Sequence, residues 1–236
     1  MTFKRVLHPQ EYATGHKLTS DLVGIGFRLA APFPKDQPNI EDTLVAASIE
    51  GVVREDFRVL ALLVDWLEIH IERVNIDRLT KLVCLRDEKL VRAFWASIAH
   101  WQRTDPRMKK LFKTRPKERV DLIPGGSDYL IQRKGEDERF ARSPLRVASQ
   151  TLRHRPSDIL GPTELAQKHS AYRWRTVIGP SYRADMWAVI EANPLLKANE
   201  VAMRTYGSWP TAWKVKRDWT VLNSSRLRRP HSRTSH

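Results

Sequence analysis

The sequence predicts a mainly α protein made of two small helical domains, helix-turn-helix and winged-helix-like, with a short β-hairpin. Three observations carry this expectation. Apolar residues recur at spacings of three and four through residues 55–101, capping residues open the successive runs, and a similar pattern returns after residue 160. At 236 residues, 41% hydrophobic and 29% charged, the chain has material for two cores and lies outside the compositions that stay disordered.

Residues 1–39 alternate short apolar runs with turn formers, including Gly15, Gly24, Gly26, Pro32, Pro34 and Pro38, and read as an arm with at most one short helix near Ser20 to Leu29. The first domain is expected over 40–134. Asn39 or Asp42 caps a helix through Ile49 that Gly51 ends. Phe57, Leu60, Val64, Leu67 and Ile71 then mark the clearest helix of the chain, over 55–72, with Val59, Leu62, Leu63 and Trp66 widening its apolar surface. Asn75 caps a shorter helix over 76–83. A third follows from Asp87, with Leu90, Phe94, Ile98 and Trp101 on one stripe, until Pro106 stops it. The runs Arg119 to Ile123 and Asp128 to Gln132, joined through Gly125 and Gly126, predict a β-hairpin, which completes the element order of a winged helix.

Residues 135–160 are polar and rich in Arg and Pro, and read as a basic linker. The second domain is expected over 161–223. Pro162 and Glu164 open a helix to Trp174, and Gly179 and Pro180 make a turn. Helices over 184–192, 198–205 and about 210–222 follow, the last two separated by Tyr206, Gly207 and Ser208. Residues 224–236 hold Arg226, Arg228, Arg229 and Arg233 with no acid and read as a disordered basic tail.

The formal net charge is +14, and its distribution says more than its total: residues 101–236 carry 28 basic and 13 acidic side chains, while 40–100 carry 8 and 11. A basic half points to a polyanionic partner, because each cation beside a phosphate releases condensed counterions. Cys84 is the single cysteine, so no intrachain disulfide forms, and its apolar run (Leu82, Val83, Leu85) predicts a buried hydrophobe. No run of 18 apolar residues occurs, no signal-peptide pattern follows Lys4 and Arg5, and the expected location is the cytoplasm, without membrane partners.

The segment Tyr182 to Leu222 resembles the helix-turn-helix of DNA-binding regulators. Ala202 fills the small position of the second helix, Val201 the apolar site before it, and Ala212 and Val215 the inward sites of the third. The resemblance implies that Ser208 caps the third helix with Pro210 in its first turn. The outward set is then Trp209, Thr211, Lys214, Lys216, Arg217 and Asp218, suited to phosphates and base edges. Tyr206 stands where Gly is commonest in the turn, and Gly207 at the next, usually apolar, site, so a one-residue shift of the turn is expected. Trp213, Trp219, Trp174, Trp187 and Tyr182 read as core.

The layout also resembles, weakly, the antitoxin-type regulators of phage-defence loci. These likenesses imply sequence-specific binding of double-stranded DNA by a bacterial transcriptional regulator or autorepressor, not an enzyme, with no metal or other cofactor. Lys109, Lys110, Lys113 and Arg115, with Arg226, Arg228 and Arg229, would add salt-dependent hold. A homodimer is compatible with this, and the acidic positions of 41–72 (Glu41, Asp42, Glu50, Glu55, Asp56, Asp65, Glu68, Glu72) offer a docking face for a protein.

Two other classes remain. One is a non-catalytic subunit of a larger nucleoprotein or defence complex that binds RNA or an acidic protein. The other is a metal-dependent nuclease, in which Asp121 with Asp128 or Glu136 holds the ion and Gln132 and Lys134 lie on the adjacent strand. The eight histidines form no pair at ligand spacing, and no phosphate-binding Gly loop or nucleophile elbow is present.

Overall fold

The computed structural model describes residues 8–227. Its described part divides into one unit over 8–169 and another from 170 onward. The first holds α1 (Gly15–Gly24), α2 (Ile40–Val53), α3 (Phe57–His70), α4 (Ile76–Cys84), α5 (Lys89–Trp101), α6 (Met108–Phe112), α7 (Ser127–Lys134) and α8 (Pro162–Lys168), with two-residue strands β1 (Val120–Asp121) and β2 (Leu145–Arg146). The second holds α9 (Ser170–Ile178), α10 (Tyr182–Ala192), α11 (Ala198–Arg204) and α12 (Trp209–Leu227). The mainly α class is what the structure shows.

The caps act as their residue types dictate. Asn39 accepts from the Asp42 amide, Asp56 from the Arg58 and Val59 amides, and Asn75 from the Arg78 amide, so α2, α3 and α4 each begin on a side-chain acceptor. Helix α2 continues past Gly51 to Val53. The glycine is needed for approach, not termination, since a Cβ there would sit 2.7 Å from Leu60 Cβ of α3. Helices α2, α3 and α5 supply the core, with Leu44, Val45, Leu63, Trp66, Phe94 and Trp95 fully buried. The two indoles satisfy their N–H groups inside it: Trp66 Nε1 donates to Ile25 O at 2.8 Å and Trp95 Nε1 to Ser48 Oγ at 3.0 Å.

Four expectations for this unit are corrected. The described part of the N-terminal arm is structural: Leu18, Leu22, Ile25 and Phe27 are buried, and Phe27 pairs in an antiparallel bridge with Ile159. The hairpin is absent among the described residues. β1 instead pairs in parallel with β2, Val120 against Leu145, and Ser127–Lys134 is helical. A turn followed by eight residues with good helix formers and no β-branched residue but Ile131 favours that outcome.

The basic linker is not a linker either. Phe140, Leu145, Val147 and Leu152 are buried, and the Leu145 amide donates to the buried Ser97 Oγ of α5 at 2.8 Å. Arg139 pairs with Asp137 and donates to Leu152 O at 2.7 Å, and Arg146 pairs with Asp121 and Asp128, which lets a polar sequence dock. Cys84 is exposed, contrary to expectation, because Leu79, Leu82 and Val83 take the inward face of α4.

Part of the expected acidic docking face is turned inward, while Glu55, Asp56, Glu68 and Glu72 stay exposed. Glu41 and Asp65 are fully buried, and Asp42 closes an ion pair with the buried Arg78. Glu41 accepts from the Asn75 amide at 2.9 Å and lies 3.9 Å from Arg78 Nε, while Asp56 is consumed as a cap. A carboxylate near a buried guanidinium is held inside by it instead of facing solvent. None of the helices among the described residues is long and apolar enough to cross a membrane.

His70, fully buried, sits beside Trp66 with ring centroids 4.8 Å apart and donates from Nε2 to Leu160 O at 3.0 Å. Burial pushes its pKa down from 6.5 to about 4. The unfolded chain therefore takes up a proton that the native state resists. The contribution of His70 is fully present above about pH 6.5 and drains away as the pH falls to about 4, to a total of about 3 kcal/mol. Urea titrations between these limits should show His70→Gln, which keeps an N–H donor, losing stability with acid less steeply than the parent. An unchanged slope would show that His70 is protonated in the native state.

Candidate nucleic-acid interface

The unit from residue 170 is organised by one ion pair. Arg175 of α9, 1% exposed, binds Asp185 of α10 through both ends of its guanidinium, Nε to Oδ1 at 2.8 Å and Nη2 to Oδ2 at 2.9 Å. On the other side of α10, Met186, Trp187, Ile190, Leu196, Val201, Ala202, Ala212 and Val215 form one cluster. Trp174 of α9, Trp187 of α10 and Trp219 of α12 run through it with centroid separations of 5.2 and 5.6 Å. Trp174 also donates from Nε1 to Glu191 Oε2 at 3.0 Å. Trp174, Trp187, Trp219 and Tyr182 thus belong to the core or its edge, as expected.

The predicted packing of the second and third helices is observed. Val201 and Ala202 on α11 and Ala212 and Val215 on α12 are all buried. The small side chains allow the two helix axes to approach. The turn between them needs no one-residue shift. Tyr206 itself takes the left-handed conformation at φ 54°, and Gly207 is buried where a Cβ would lie 2.1 Å from Met186 Cε. Gly207 is therefore required where it stands, because the thioether fills the space a side chain would use.

With Ala212, Val215 and Trp219 inward, the helical period turns Pro210, Lys214, Arg217 and Val221 to the opposite side, with Trp213 beside them. Trp213 is 47% exposed and Trp209 46%, so Trp213 is not core, and its spacing from Ala212 and Val215 already contained that signal. The Arg217 guanidinium stacks over the Trp213 ring at 5.5 Å. Asp218, on the same helix, is bound by Arg183 at 2.7 Å and by Arg217 at 3.3 Å, and the Arg183 guanidinium holds its carboxyl below the usual carboxylate range.

Three predicted contacts are structural. Ser208 Oγ accepts from the Thr211 amide at 3.4 Å and shares a 2.7 Å hydrogen bond with the Thr211 hydroxyl, so both begin α12. Lys216 turns back and donates to the carbonyls of Pro194 and Leu196. Lys214 and Arg217 remain the solvent-facing cations of the helix centre. α12 continues to Leu227, so the backbone of Arg226 is helical where a disordered tail was expected, while Arg228 and Arg229 lie outside the described residues. At 19 residues the helix spans about 28 Å.

In the first unit, Lys109, Lys110, Lys113 and Arg115 are exposed on and after α6, with Lys110 3.6 Å from Asp77 and Arg115 over the Phe112 ring. The nuclease constellation is not assembled. Arg146 binds Asp121 at 3.1 Å and also pairs with Asp128, placing a guanidinium where an ion would sit. Gln132 and Lys134 lie on a helix, and Glu136 pairs with Arg119. The sequence reading missed a different gathering, Asp65, Glu68 and His154, whose ligand atoms lie within 4.8 Å of one another. No signal in the sequence linked it, because His154 is distant in the chain.

No protein-family model, curated protein or solved structure matches this chain.

Removing one member of the Arg175–Asp185 pair takes the bidentate partner away from a buried charge. Arg175→Ala or Asp185→Ala should each destabilise the chain by about 3–5 kcal/mol. Trp213→Ala, at an exposed position, should cost within about 0.5 kcal/mol. Denaturant unfolding of the three variants checks this ranking, and a Trp213→Ala loss as large as the other two would contradict its outward placement.

Proposed function

We propose that the chain binds duplex DNA, with α12 as the element that enters the major groove. The observation that supports this reading most is the division of α12 into two faces. Ala212, Val215 and Trp219 lock one side to α10 and α11, and Lys214 and Arg217 stand on the other. A helix with that separation carries its cations on a rigid support, which phosphate and base-edge contacts require. The neutralisation of Asp218 by Arg183 removes the nearest repulsion to a phosphate.

Thr211 and Ser208 act in this reading by fixing the start of the helix, and Lys109, Lys110, Lys113 and Arg115 add sequence-independent hold. Bound at a promoter, such a protein regulates transcription, and the antitoxin-like layout gives the autorepressing form of that role. It carries out no chemistry on the nucleic acid.

A second reading draws on the two half-exposed indoles, Trp209 and Trp213, four residues apart at one side of α12. Exposed aromatics backed by an arginine suit unpaired bases, which stack on them at about 1–3 kcal/mol per base. That surface would serve a subunit that binds RNA.

Fluorescence anisotropy of the full chain against random duplex and single-stranded oligonucleotides, across a salt series, separates the two. Duplex preference is expected, with log K falling linearly in log salt. The Lys214→Ala, Arg217→Ala double variant should lower duplex affinity at least about tenfold and reduce the salt slope by about 2. Single-strand preference lost on Trp213→Ala would favour the second reading. Duplex affinity unchanged by the double variant would overturn the assignment of α12.

A further inference from the structure

The unit over 8–169 carries a cleft of about 1110 Å³, lined among others by Glu68, Trp101, Asp137, Arg139 and His154. At its wall three potential ligands converge from two parts of the chain. Asp65 and Glu68 lie three residues apart on α3, so the helical period stacks them on one side. His154 comes from the segment after β2. Its Nδ1 lies 2.8 Å from Asp65 Oδ1 and 3.9 Å from Glu68 Oε2.

We propose that Asp65, Glu68 and His154 form a binding site for a divalent transition-metal ion of the zinc class, with its remaining coordination position open to the cleft. One imidazole nitrogen and two carboxylate oxygens are a donor set that suits zinc and its neighbours, and three protein ligands with a free position are the pattern of zinc sites that also hold water. Zn–N and Zn–O bonds of about 2.0–2.2 Å put neighbouring ligand atoms roughly 3.0–3.5 Å apart. The 2.8 Å contact must widen by about half an ångström, the 3.9 Å contact must close by a similar amount, and the two carboxylates, within 4.8 Å of each other, must also draw together to reach that spacing. Rotation of His154 and Glu68 supplies this movement, their side chains being 57% and 48% exposed.

Asp65 is the fixed member. It is fully buried, and its Oδ2 accepts the Arg155 amide at 2.5 Å, which aims Oδ1 toward His154. Arg139 Nη1 stands 3.6 Å from that oxygen, but the hydrogen bonds of this guanidinium go to Asp137 and to Leu152 O, and Nη1 itself is buried without one. Asp137 accepts hydrogen bonds from Arg139, and Asp65 stands 3.6 Å from its guanidinium. The two carboxylates of the ligand set carry the negative charge that a divalent ion neutralises.

Isothermal titration of Zn²⁺ into the metal-stripped full chain tests the site. One Zn²⁺ per chain is expected, tighter than about 10 µM, and weakened roughly 100-fold or more by His154→Ala and by Glu68→Gln. Because the ligands tie α3 to a distant segment, Zn²⁺ should also raise the melting temperature of the parent and not of either variant. Glu68→Gln preserves side-chain shape at a half-exposed position, so its loss of binding cannot be a folding defect. Zn²⁺ bound equally by parent and both variants would place the ion on other histidines and overturn the proposal, as would the absence of binding.

Discussion

Everything that α12 presents to solvent depends on the charge of Arg175 being answered inside the protein. A guanidinium that is 1% exposed is tolerable only with a carboxylate in bidentate register, and Asp185 provides it. That requirement fixes α9 on α10. α10 in turn offers Met186, Trp187 and Ile190 as the floor on which Val201, Ala202, Ala212 and Val215 assemble. The outward direction of Lys214 and Arg217 is then a matter of helical period and not of their own contacts.

The other unit obeys the same electrostatic rule with different participants. Arg78, likewise 1% exposed, draws Asp42 and Glu41 of α2 toward α4. An acid-rich stretch of sequence therefore becomes internal wiring. Asp65 follows it only loosely, 3.6 Å from Arg139 Nη1. Its nearest partners are a backbone amide and an imidazole, with the closest guanidinium committed elsewhere, and this leaves the carboxylate able to serve a ligand.

The legible parts of the sequence were those governed by short-range rules. The periodic apolar positions of α3 and α5, the acceptors at Asn39 and Asn75, and the small residues Ala202 and Ala212 all act on neighbours within a few residues or through helix packing. The illegible parts depended on partners far along the chain. Nothing near Val120 announces a parallel match with Leu145, and nothing near Arg139 or Arg146 shows that their charges are spent on Asp137 and Asp121. Polarity and proline suggested a tether at 135–160, whereas Phe140, Leu145 and Val147 were the residues that decided its fate. Trp213 differs for another reason: its phase relative to Ala212 and Val215, not its aromatic type, turns it outward.

The seam between residues 25–28 and 158–160 carries a kinetic consequence. The Arg28 and Leu160 amides donate across it to Asp158 O at 2.7 Å and Gly26 O at 2.8 Å, joining strands about 130 residues apart. Closing a loop of that size is costly in chain entropy, while the helix pairs α2–α3 and α4–α5 close over short spans. Chain entropy therefore disfavours early formation of the seam relative to those helix pairs, and burial of Ile25, Phe27, Ile159 and Leu160 supplies the compensation once it closes.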